Sequence, residues 1–278
     1  MTERIALWKT RARSLERAEK QFRQKSPEAI HDLRVALRRV SATATALGRD
    51  KLAKRSRRFV SSLSDLRQIE VDRGLLARVR KLGWLPDDVA AGVDARWDAV
   101  LREGARDAAR RVPEDELDRL RRKVGRLSRE KQRDLLVRLD HARDRAEKRL
   151  APLPETASDR ALHRYRLAVK EARYVAEDLA LAGRAGLGPE IEQKKKVQDA
   201  LGRWNDLRLF RGHLLATRED AERRGSVTFV LELDRLATAL EPAVASAREE
   251  ALRAASEPVP AASRSRPHRA PAPASNVV

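Results

Sequence analysis

The chain contains no cysteine, which excludes disulfides, thiolate metal sites and cysteine nucleophiles and fits a reducing interior. Aromatic residues make up only 4% (four Trp, two Tyr and four Phe), and they do not interleave with basic residues as base-stacking platforms do. No stretch approaches the roughly 18 apolar residues of a membrane span. The opening Met1-Thr-Glu-Arg-Ile-Ala-Leu-Trp8 lacks the apolar core of a signal peptide. A cytoplasmic protein with no membrane partner is expected. There is no P-loop, no glycine-rich phosphate loop, no GxSxG elbow and no HExxH pattern. Neither an enzymatic activity, a metal nor a cofactor is expected. Helix-turn-helix and zinc-finger signatures are absent as well.

What is abundant is positive charge. Lys and Arg number 61 against 42 acids, a formal net charge of +19 in 278 residues. A surplus of that size calls for an acidic partner: nucleic acid, polyphosphate or an anionic surface. Glycine and proline number only 12 each, and 41% of residues are hydrophobic. This is the profile of a helix-rich globular protein with enough length for one large or two ordinary domains.

Helical periodicity dominates and predicts an all-α fold. Breaks near Ser26-Pro27, Gly48, Gly83 to Pro86, Val112-Pro113, Pro152 to Ser158, Gly183 to Pro189 and Gly225 leave eight helices. These span about 3–25, 27–47, 50–82, 86–110, 113–150, 158–183, 189–223 and 226–255. They fall into two matching sets of four, in halves of about 1–112 and 113–256. After about residue 256 the composition turns to Pro, Ala, Ser and Arg, and residues 257–278 are expected to form a disordered tail. That tail holds Arg264, Arg266 and Arg269 against Glu257, so nearly all of the net charge belongs to the helical body.

The match between the halves is sharpest in the second and sixth helices. Apolar or small residues at Ile30, Leu33, Leu37, Val40, Ala44 and Leu47 recur 132 positions later as Leu162, Tyr165, Val169, Ala172, Ala176 and Leu179. Such spacing is the seam of a helical bundle. One residue on from each seam runs a basic stripe: His31, Arg34 and Arg38, with Arg39 beside them, and His163, Arg166, Lys170 and Arg173. Offsets of 3, 4 and 7 stack these cations along one helix face. The third and seventh helices repeat too, with Leu63-Ser-Asp-Leu-Arg67-Gln68 and Arg73-Gly74 aligning to Leu201-Gly-Arg-Trp-Asn205-Asp206 and Arg211-Gly212. Glycine at matching places inside both helices suggests close backbone packing or a bend. The pattern reads as an internal duplication.

At these residues the chain resembles the CHAD family, the conserved histidine α-helical domain. Leu162-His163-x-x-Arg166-x-Ala-x-Lys170-x-x-Arg173-Tyr174-x-x-Glu177 is similar to the family's central motif, and Val197-Gln198-Asp199-Ala-Leu201-Gly202-x-x-Asn205-Asp206 to its second. The resemblance covers about residues 1–255. It implies two four-helix bundles related by pseudo-two-fold symmetry and a basic central groove or pore that binds inorganic polyphosphate. Polyphosphate carries charge but no base to read, so recognition must come from cations spaced along a track. Arg supplies a planar fork of donors and Lys a point charge. On this reading the track comprises His31, Arg34, Arg38, Arg39, His163, Arg166, Lys170 and Arg173, supplemented by Arg57, Arg58, Arg67, Lys194 and Lys195. Tyr174, Asn205 and Asp206 are expected to support them.

The chain departs from the family pattern at Gln68, where the first half usually has Asp, and at Ser41 and Ala42, opposite Arg173 and Tyr174. Two unequal half-sites are therefore expected, the stronger headed by His163. His141, His213 and His268 have no comparable setting and read as incidental. Glu114-x-Glu116-x-Asp118 follows Pro113 at a helix start, where acids complement the helix dipole and need no metal. The function that emerges is non-enzymatic binding of inorganic polyphosphate, with association at polyphosphate granules; a basic nucleic-acid-binding protein is the alternative.

Overall fold

The computed structural model describes residues 7–24, 29–127, 132–150 and 152–257, and these contain helices and no strand. The expected helix start at Pro27 and the tail after residue 257 lie outside the described residues. Eleven helices occur: α1 (Leu7–Arg23), α2 (Ala29–Ala46), α3 (Asp50–Ser62), α4 (Ser64–Lys81), α5 (Asp87–Arg111), α6 (Glu114–Arg126), α7 (Gln132–Glu147), α8 (Asp159–Leu181), α9 (Gly188–Arg223), α10 (Val227–Ala239) and α11 (Glu241–Ser256). None is long and apolar enough to cross a membrane among the described residues.

Three of the eight anticipated helices are each divided in two, and two of the divisions have visible causes. The 50–82 segment breaks at Leu63 (φ −102°, ψ 4°), where Arg34 braces the start of α4, its Nη1 donating to Leu63 O at 2.7 Å and Ser64 O at 2.9 Å. The 226–255 segment breaks at Leu240, just ahead of Pro242, whose missing N–H and ring cannot continue a helix. The 113–150 segment is described as α6 and α7, with residues 128–131 outside the described set.

Where turns were expected at glycine, the backbone supplies the reason. Gly48 closes α2 at φ 65°, a left-handed conformation that a Cβ disfavours, and lets Arg49 N donate back to Ala44 O at 2.7 Å. Gly74 and Gly212 behave otherwise. A Cβ at either would meet no heavy atom within 4 Å, and α4 and α9 run through them, so the anticipated close packing is absent there. The tight glycines are Gly92 and Gly104, where a Cβ would strike Phe229 and Leu66, each at 2.7 Å.

Ten of the twelve seam residues are buried as their spacing requires, with Leu33, Leu37, Val40, Ala44, Leu47, Leu162, Val169, Ala172, Ala176 and Leu179 at most 2% exposed, while Ile30 and Tyr165 are partly buried. Each large aliphatic among them contributes about 1.5–3 kcal/mol on burial. They feed three cores. One joins α1, α2 and α3 to α6, α7 and the end of α8; a second joins α4 and α5 to α9 and α10; the third joins the start of α8 to α9 and α11. Two of the three cores thus draw on both halves of the sequence.

A polar tie fixes α2 against α8. Asp178 is fully buried, paired with Arg11 of α1 and accepting from Thr43 Oγ1 at 2.7 Å. Burial raises its pKa, opposed by the Arg11 charge and the Thr43 hydroxyl. One residue earlier, Glu177 takes Arg39 of α2 at 3.4 Å and Arg173 of its own helix at 3.1 Å. These contacts set the two basic stripes side by side.

Candidate functional site, a basic cleft

The two stripes meet in one cleft of about 430 Å3, walled by α2, α4, α8 and α9. From α2 come His31, Arg34 and Arg38; from α4, Arg67 and Gln68; from α8, Arg166 and Lys170; from α9, Gln198, Asp199, Arg203, Asn205 and Asp206. Five arginines and one lysine therefore line the cleft alongside two acids.

The electrostatics show how crowded these cations are. Burial lowers the pKa of Lys170 from 10.5 to about 7, with Arg166 and Arg38 adding to the effect. Burial likewise lowers Arg34 below the ordinary guanidinium range, to about 10, reinforced by Arg38 and Arg67. Arg166 is lowered by burial and by Arg38 and Arg208, against the pull of Asp206. The Asp206 carboxyl is raised by burial, although Asn205, Arg166, Lys170 and Arg67 all favour its charged form. Its negative charge offsets part of the surplus without neutralising it. Among the described residues, three buried polar atoms of the cleft lining, Arg34 Nε, Arg166 Nε and Gln198 Oε1, have no hydrogen-bond partner. A chain of acceptor oxygens could occupy the donor of Arg166 and compensate the crowded charge at once.

Not every anticipated cation is in this cleft. His163 lies beside it, partly buried and within hydrogen-bonding reach of Asn205; burial and the charge of Arg166 lower its pKa. Arg39 and Arg173 are committed to Glu177, and the Arg173 guanidinium sits 5.0 Å from the buried Tyr174 ring, which it covers. Tyr174 is thus a packing support. Lys194 requires a correction: it is 1% exposed and its Nζ pairs with Glu147 at 2.9 Å and Glu190 at 3.1 Å. A lysine held between two carboxylates cannot also line an open track. Lys195 is exposed on α9 but is not among the residues lining the cleft. Arg57 and Arg58 also stand elsewhere, on the outer face of α3. The expectation of two half-sites changes accordingly, because Arg34, Arg38, Arg166 and Lys170 face a single space.

Residues that sequence reasoning passed over complete the site. Arg203 lines the cleft, and Arg208 acts electrostatically on Arg166 and His163 while lying 5.6 Å from the Trp204 ring. Arg203 follows Asp199 by four residues and Arg208 follows Asn205 by three, offsets that set each cation beside a motif residue of α9 and make the link legible in retrospect. His213 is not incidental: its Nδ1 lies 2.5 Å from Oδ2 of the buried Asp72, whose Oδ1 accepts from Gln68 Nε2 at 3.0 Å. The Asp72 hydrogen bond and charge raise the His213 pKa, against desolvation. Gln68, at the position where Asp is usual, is thereby held at the cleft wall by a partner from its own helix. Glu114, Glu116 and Asp118 diverge into pairs with Arg23 (3.1 Å), Arg55 (3.3 Å) and Arg121 (2.9 Å).

The CHAD domain profile matches residues 6–215, a span that includes every residue lining the cleft. No curated protein matches the chain. Among solved structures, PptA from Streptomyces chartreusis is 19% identical with a TM-score of 0.63, over 91% of this chain and 97% of that one. The crystal structure of the CHAD domain from the plant Ricinus communis is 20% identical with a TM-score of 0.65, over 89% of each chain. Identities this low speak for the fold, and the fold they share is the helical one described above. With that fold and a profile match across most of its length, the chain belongs to the CHAD domain family.

Proposed function

We propose that this chain binds inorganic polyphosphate in the cleft between α2, α4, α8 and α9, and does so without turning it over. The observation that carries the reading is the convergence of Arg34, Arg38, Arg67, Arg166, Lys170 and Arg203 on one space whose lining includes two acids, Asp199 and Asp206. Cations forced together at the cost of a lysine pKa near 7 are stabilised when a polyanion arrives. The family's association with polyphosphate supports the same ligand. The protein is placed by this reading in the cytoplasm, at polyphosphate granules.

The test is titration of the purified chain with long-chain polyphosphate at low salt. Binding is expected, and R166E/K170E should weaken it far more than R264E/R266E in the tail; no binding by the unaltered chain overturns the proposal. Competition against DNA at matched phosphate concentration separates the nucleic-acid alternative, which a preference for DNA at 150 mM salt would favour. Release of phosphate in the presence of divalent metal would overturn the non-enzymatic part.

A further inference from the structure

A second concavity, about 620 Å3, lies along the outer face of α3 and shares no lining residue with the cleft. Lys51, Lys54, Arg55 and Arg58 follow an i, i+3, i+4, i+7 spacing and form one strip along two turns of α3, with Arg57 at its flank. At 1.5 Å per residue the strip is about 10 Å long. Lys51, Lys54, Arg57 and Arg58 are exposed. Against these five cations the lining contains one acid, Glu116 of α6. A single carboxylate oxygen, Oε2, is shared by Arg58 and Arg55, the latter at 3.3 Å.

We propose that this strip is a second anion site, taking consecutive phosphates of a linear phosphate chain, and that Glu116 is its built-in counter-ion. Two arginines already converge on one anionic oxygen, which is the arrangement a phosphate oxygen would inherit. One carboxylate leaves most of the strip's charge uncompensated, whereas a phosphate chain brings a charge and several acceptor oxygens at each unit. Ion pairs this open to solvent hold weakly, so the carboxylate is displaceable. The inference shares a ligand class with the cleft reading and rests on different residues.

The experiment uses the full chain carrying R166E/K170E, titrated with sodium tripolyphosphate at low salt. Residual binding should persist there, disappear when K51E/K54E are added, and strengthen about threefold to fivefold with E116Q as the internal competitor is removed. Because E116Q is expected to raise affinity, a folding defect cannot imitate it. Absence of residual binding, or residual binding indifferent to K51E/K54E, overturns the second site. Unchanged or weakened binding in E116Q overturns the counter-ion role, and equal competition by sulfate reduces the strip to general screening. If instead the unaltered chain binds tripolyphosphate only through Lys51 and Lys54, the cleft reading fails and this one stands.

Discussion

The stripes on α2 and α8 carry cations at the same offsets, yet the two helices spend them differently. On α8, Arg166 and Lys170 reach the cleft with their charge opposed chiefly by Asp206, and both pKa values fall. On α2, Arg34 sits at the same offset as Arg166 but gives its Nη1 to the carbonyls of Leu63 and Ser64. It holds the α3–α4 junction as well as facing the cleft. The histidines also part: His31 lines the cleft, whereas His163 stands behind it near Asn205. Equivalent positions in a repeated pattern therefore divide between structural and ligand-facing duty according to what the neighbouring helix offers.

The most severe way to break this comparison is to separate the helices. Asp178→Ala would leave Arg11 buried without its partner and remove the Thr43 link between α2 and α8. A loss of about 3–5 kcal/mol in urea unfolding is expected, and polyphosphate binding should fall with it. Next in size, R166E/K170E should reduce affinity at low salt at least about 100-fold by fluorescence or calorimetric titration, since each position changes from a charge-assisted contact to a repulsion. Unfolding midpoints should change much less than in D178A.

Arg34 and Arg38 should separate the two duties within α2. Arg34→Ala removes two charge-assisted hydrogen bonds at the α3–α4 break, costing about 1–3 kcal/mol of stability. Arg38→Ala should leave the unfolding curve nearly unchanged and weaken binding about tenfold. Equal effects in both assays would erase the distinction.

The smallest effect is on pH dependence. The folded protein holds Lys170 at a pKa of about 7 against an ordinary 10.5. Folding therefore disfavours its protonated form, and this destabilisation is present in full below pH 7 and fades as pH rises toward 10.5. A bound polyanion acts in the opposite sense and raises the pKa. Binding should take up a proton, and affinity should decline as pH climbs from 7 to 9; K170A should flatten that slope in calorimetry run in buffers of different ionisation enthalpy.

The seam from Leu33 to Leu47 and its counterpart from Leu162 to Leu179 were legible because a buried helix face must repeat every three or four residues, whatever it packs against. The stripes were legible for the same reason. Their partners were not. Glu177 lies 138 positions from Arg39, Leu63 lies 29 from Arg34, and Glu116 lies 58 from Arg58. Lys194 to Lys196 looked alike as a charge run, and only the approach of Glu147 from α7 beside Glu190 drew Lys194 alone inside. His213 seemed unremarkable until α4 brought Asp72 to it.

By itself, then, the sequence determined the helices, their apolar faces, the surplus of positive charge and the family. Those properties follow from local spacing and composition, which need no knowledge of neighbours. The tertiary structure decided which cations share a cleft, which are neutralised by a distant acid, and how far the Lys170 pKa falls. Coulombic and desolvation energies depend on distances between helices, and only the packing of α2, α4, α8 and α9 sets those.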